Sequence, residues 1–195
     1  MCNRRLMRGV LPWMAALTLS GCVGGHTPTA RFYLLEPLAE IKASPAEAKK
    51  TRLVLAPIRI PGYLDRAQIV TASGDNSYSL SEYERWAEGL EHNIFRVLQQ
   101  DLSRLVPADV ILSPTADAPV LKLAVTILQF HADAQGQAKL EVQWQISRDG
   151  QPSSVQQRSY RESSAVGDYR KIVAGLNACL NRMARDIADQ LHGYQ

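Results

Sequence analysis

Two neighbouring segments constrain this chain most. In "APVLKLAVTILQFHAD" (118–133), Leu121, Leu123, Val125 and Ile127 alternate, and Ala124, Leu128 and Phe130 fall on the opposite face. Apolar residues on both faces predict a central strand covered on two sides. In "AKLEVQWQIS" (138–147), Leu140, Val142, Trp144 and Ile146 alternate with Glu141, Gln143 and Gln145. That period of two predicts a strand with one buried and one polar face. Only four residues separate the segments, and they contain Gly136. Gln135-Gly136-Gln137 marks the turn between them, and the apolar face of the second segment needs a cover.

The cover is also written in the sequence. Trp86, Leu90, Ile94, Leu98 and Leu102 recur every fourth residue up to Pro107, predicting an amphipathic helix. Ser81 is placed to cap its start, with Glu84 three residues on as the capping-box partner. Near the end, Ile172, Val173, Leu176, Leu180, Met183, Ile187 and Leu191 form one stripe behind Asp168, a suitable N-cap. Shorter strands are expected at 31–37, at 52–61 with a bend or edge at Pro57, at 108–114 and, more polar, at 154–164. Gln68–Ala72 and Ser77–Leu80 flank Gly74-Asp75-Asn76 as a hairpin. The expected fold is α+β: a mixed or antiparallel sheet of roughly seven or eight strands with two long helices on one face.

The N-terminus follows other rules. Arg4, Arg5 and Arg8 precede the apolar stretch Val10–Leu19, which is too short to span a bilayer. This is the pattern of a secretory signal. It ends in Leu19-Ser20-Gly21-Cys22, which resembles the bacterial lipobox. The expected division is a signal peptide over 1–21, a lipidated tether over 22–30 and one domain over 31–195. Cys22 would receive the acyl chains, palmitate among them, and become the new N-terminus. Val23 follows it rather than Asp, which by resemblance to enteric lipoproteins directs the protein to the outer membrane, facing the periplasm.

Charge supports the division. The formal net charge is +3, from 22 basic and 19 acidic residues. Removing the three leader arginines leaves the mature chain neutral, so the electrostatic case for nucleic-acid binding disappears. Cys2 leaves with the leader and Cys22 is acylated. Cys179 then remains, on the apolar side of its helix, as a small buried hydrophobe with no disulfide partner.

The residues offer little catalysis. His26, His92, His131 and His192 are scattered without metal-ligand spacing. Glu88 and His92, four apart, suit an exposed helical ion pair, and Asp65-Arg66 a charged pair in a turn. No nucleophile elbow, phosphate loop or paired cysteine motif is present. No catalytic residue, metal or cofactor is expected.

"YLDRAQIVT" (63–71) and "ERWAEGL" (84–90), followed by the amphipathic helix, resemble the PqiC/YmbA family of ABC-type and MCE (mammalian cell entry) transport auxiliary lipoproteins. The matching positions are Leu64-Asp65-Arg66, Gln68-Ile69-Val70 and Arg85-Trp86-Ala87-Glu88-Leu90; Ala67 and Gly89 stand where many members carry proline. The resemblance implies an outer-membrane lipoprotein working with a tube-forming MCE protein and its inner-membrane partner. It would dock the tube at the outer membrane and support envelope integrity. Self-association into a homo-oligomer fits such a part. Leu64, Asp65, Arg66, Gln68, Arg85 and Trp86 are the expected contact surface, with a structural alternative in which Trp86 is core and Asp65-Arg66 locks the turn. A standalone envelope scaffold and a periplasmic hydrolase are the competing readings.

Overall fold

The structure is a computed structural model that describes residues 28–39, 51–74, 76–111, 120–148, 151–152 and 155–194. Nine strands and two helices occur among them. β1 (Arg31–Tyr33), β2 (Thr51–Leu55), β3 (Gln68–Gly74) and β4 (Ser77–Trp86) precede α1 (Leu90–Leu105). β5 (Ala108–Ile111), β6 (Val120–Ala132), β7 (Gln137–Arg148), β8 (Gln151–Pro152) and β9 (Gln156–Ser163) precede α2 (Tyr169–His192). All nine join one mixed sheet, seven of them longer than three residues, which is the α+β fold expected.

β6 organises the sheet. One of its edges pairs antiparallel with β7 over its length. The other edge is divided. Its first residues pair parallel with β2, from Arg52↔Val120 to Leu55↔Leu123. A single bridge joins Arg59 to Thr126, and Thr71↔Ala132 then brings in β3. Two arms leave this edge: β2 with β5, and β3 with β4 and β1. β2 has neighbours on both sides, so Pro57 marks a bend beyond a central strand rather than an edge.

The helices cover one face. Every residue of the predicted α2 stripe is buried. The Asp168 side chain caps the helix by accepting from Lys171 N at 3.2 Å. Trp144 Nε1 donates to Gln190 Oε1 at 2.7 Å, and Tyr160 Oη to Asp186 Oδ2 at 2.7 Å, tying α2 to β7 and β9. At Gly175 the helix lies so close to β7 that a Cβ would sit 2.7 Å from the Ala138 Cβ, so only hydrogen fits. α1 packs against α2 and β5. On the open face the polar side chains pair with each other, as in Gln143–Gln157 at 2.9 Å and Lys139–Glu141 at 2.8 Å.

Two expectations are corrected. Phe130 was assigned to the face opposite Ile127, but a bulge between Ile127 and Gln129 shifts the register and turns Phe130 into the core, opposite Leu140. The first helix begins at Leu90 with Gly89 as N-cap, not at Ser81. Residues 84–86 instead pair with β1, through Arg31↔Glu84, Phe32↔Arg85 and Tyr33↔Trp86. The Glu84 N–H does reach Ser81 Oγ, at 3.1 Å, but inside β4. The Glu84 carboxylate accepts from Arg31 and from Tyr33 Oη (2.7 Å), so long-range pairing overrides the local helix signal.

Candidate partner-binding surface

The connection from β2 to β3 lies in the fork between the two arms. Backbone bonds hold it against β6: Ala56 N to Leu123 O (2.9 Å), Arg59 N to Val125 O (3.1 Å) and Ile127 N to Arg59 O (2.8 Å). Two tight turns follow, closed by Leu64 N to Pro61 O (2.9 Å) and Arg66 N to Leu64 O (2.8 Å). Trp86 N then donates to Ala67 O at 2.8 Å, joining the turn to the end of β4. The turn and the strand end, twenty residues apart in sequence, thus meet at one place.

Their side chains divide between core and surface. Leu64 and Trp86 are core residues, and the Trp86 ring lies 6.3 Å from that of Phe130. They plug the fork from inside and cannot serve as contacts. Asp65 is exposed, and Arg66, Gln68 and Arg85 are half-buried. Gln68 faces Arg85 across the ladder. Asp65 and Arg66 form no ion pair with each other. Instead, Arg66 Nε and Arg85 Nε are both buried without a hydrogen-bond partner. Such donors are costly to leave unmade.

Beside them opens a cleft of about 730 Å³, bordered by Pro57, Arg59, Ile60, Asp65, Glu91 and Lys122. Its charges are two basic and two acidic, set among apolar residues such as Ile58, Ala124 and Val125. Tyr63 leads away to an aromatic cluster: its ring is 5.0 Å from Tyr78, and His131 stands edge-on to both. Burial, helped by Tyr78, pushes the Tyr63 phenol up to about 12. Burial and the nearby Lys139 lower the His131 imidazole, so it is neutral near pH 7.

The other singled-out groups form no reactive centre. Glu88 pairs with Arg96 (2.8 Å) rather than with His92. The Cys179 thiol is buried, lies 3.7 Å from Ala138 O and is pushed up to about 12 by burial, which makes it inert as a nucleophile. Among the described residues no three His, Cys, Asp or Glu side chains cluster to hold a metal. Leu19, Ser20, Gly21 and Cys22, with the signal over 1–21, lie outside the described residues.

A second set of contacts was not read from the sequence. The segment after β1 is strapped to the helices by side chains that bind its backbone. Leu35 N donates to Asn93 Oδ1 (3.2 Å), Glu36 N to Asn177 Oδ1 (2.7 Å) and Leu38 N to Asp101 Oδ1 (2.7 Å). Arg96 and Arg104 donate to the carbonyls of Leu35 (3.1 Å) and Leu38 (2.6 Å). The signal was present: Asn93 and Asp101 interrupt the apolar stripe of α1, and a polar residue in a buried stripe needs a partner.

Asp101 yields a pH dependence. It is fully buried, and Oδ2 has no partner. Burial raises its pKa, against the Leu38 N–H and two nearby arginines, which lower it. A folded pKa above the unfolded one means that its contribution is intact below the unfolded value and is lost as pH rises through the folded one. Asp101→Asn is therefore expected to gain stability relative to the parent as pH rises from 3 to 7, read from melting temperatures. A constant difference between the two proteins would contradict this.

Comparison with known proteins places these features. The profile of the ABC-type transport auxiliary lipoprotein component matches residues 33–188. The chain is 26% identical over 187 residues to the intermembrane transport lipoprotein PqiC of Escherichia coli, covering 95% of this chain and 98% of that protein, and it aligns with the Shigella flexneri protein of the same name to the same extent. A crystal structure of an uncharacterised protein superposes with a TM-score of 0.69 at 21% identity, over 84% of this chain and 99% of that one. A protein from Xanthomonas campestris does so with 0.66 at 14% identity, over 85% and 100%. These two likenesses concern the fold alone.

Proposed function

The chain belongs to the family of ABC-type transport auxiliary lipoproteins, and from that membership we propose that it serves intermembrane transport as a docking part at the outer membrane. The family is one of transport components rather than enzymes. The domain faces the periplasm, held by acyl chains on Cys22, and receives the end of a tube-forming MCE protein whose base lies with its inner-membrane partner. Envelope integrity depends on that bridge.

The observation that carries the reading is the fork. On a rigid frame Asp65 is exposed and Arg66, Gln68 and Arg85 are partly exposed, so both signs of charge and an amide are offered side by side. A partner supplying carboxylates or carbonyl oxygens would pair with these polar groups, and charge-assisted bonds of this kind set register and orientation. The test is photo-crosslinking in the intact envelope, with a benzoylphenylalanine at position 65 or 68 and a control at Ser159 on β9. Adducts with an MCE-domain protein from 65 and 68, and not from 159, are the expected result. Recovery of no such protein, or equal recovery from all three positions, would overturn the assignment.

A further inference from the structure

β1 departs from the usual pattern of an edge strand. Alternation from Tyr33 to Leu35 directs those two side chains inward: Tyr33 packs against the core and Leu35 is fully buried. Phe32 in β1 and Leu34 just after it therefore point outward, and they are 62% and 46% exposed. Outward positions of an edge strand are ordinarily polar or charged, because an apolar edge invites association. Here both are large and apolar.

Their place in the chain says what they meet. Phe32 lies ten residues after Cys22. Ten residues reach at most about 35 Å when extended. An acyl anchor at Cys22 thus keeps Phe32 and Leu34 within reach of the bilayer surface. The mature chain is neutral by sequence, so net charge draws the domain toward anionic lipid little. Among the described residues no helix is long and apolar enough to cross a membrane. Side chains that enter the interface are the remaining means of fixing how the domain stands.

We propose that Phe32 and Leu34 form a membrane-contact patch that sits in the phospholipid interface of the anchoring bilayer; this rests on the acylation of Cys22. The patch borders the fork surface, because Phe32 pairs with Arg85, which pairs with Gln68. Seating the β1 edge on lipid would hold the fork at a fixed height and angle above the bilayer, as a part that grips the end of a tube requires.

The test uses the full lipidated protein in phosphatidylethanolamine–phosphatidylglycerol vesicles whose acyl chains carry bromine as a quencher. A fluorophore is attached to Leu34→Cys or, as control, to Val155→Cys, an exposed site next to β9 at the other edge of the sheet. The buried Cys179 and the acylated Cys22 do not compete for the label. Flotation of the vesicles is read in the same samples. At least threefold stronger quenching at 34 than at 155 is expected, falling to the control level when Phe32→Ser is added. Equal quenching in floating protein would overturn the proposal, as would a position 34 shielded from iodide yet unquenched by bromolipid, which would indicate a second protein copy as the occupant. Protein that does not float would instead refute the anchor.

Discussion

Trp86→Ala is expected to destabilise the domain by about 3–5 kcal/mol, the range for truncating a buried aromatic. Trp86 is only 5% exposed, packs near Phe130, and sits where the β4 end is bonded to the turn through Ala67 O. The loss joins a cavity to the loosening of that junction. For a domain of this size the whole stability is of order 10 kcal/mol, so the variant should fold but unfold at much lower urea. Its capture of a partner should fall only with the folded fraction. Gln68→Ala, on the adjacent surface, should leave stability within about 0.5 kcal/mol and reduce capture directly. Equilibrium unfolding and pulldown on the two variants separate the roles. Parent-like stability of Trp86→Ala would mean that the indole is not core.

The same tryptophan shows where sequence reading succeeds and where it stops. The periods of β6, β7 and α2 were legible because burial acts on each element's own face, and Asp168 was legible as a cap because capping is local. Trp86 continued the four-residue spacing of α1, so sequence assigned it to the helix. What pulls it into β4 is pairing with β1, more than fifty residues away, and no local pattern carries that. Phe130 was misplaced because one bulge inverts every later side chain. The division of the β6 edge between two arms depends on three separated segments meeting, so the fork itself could not be foreseen. Of the six residues expected at the surface, Asp65 is exposed and Arg66, Gln68 and Arg85 are partly exposed there. The two apolar ones support them from within.

Cys22→Ser is expected to abolish acyl labelling completely and move the protein from the membrane to the soluble fraction. The argument is by elimination as well as by pattern. The chain has three cysteines. Cys2 precedes the apolar stretch and would leave with the leader. Cys179 is buried on the inner face of α2 with its thiol pushed up to about 12, so neither access nor thiolate is available to an acyl donor. Cys22 alone stands behind a small-residue site, where a peptidase can free its amine. Each buried methylene contributes about 0.8 kcal/mol, so two or more chains make attachment effectively permanent and their loss all-or-none. The domain should melt at its parent temperature, because the substitution lies nine residues before β1. Metabolic labelling with radioactive palmitate, fractionation and a thermal melt read the three outcomes together. Label persisting in the variant would refute acylation at this cysteine. Loss of label without release would show that contacts such as those of Phe32 and Leu34, or a protein partner at the fork, suffice to hold the domain at the membrane.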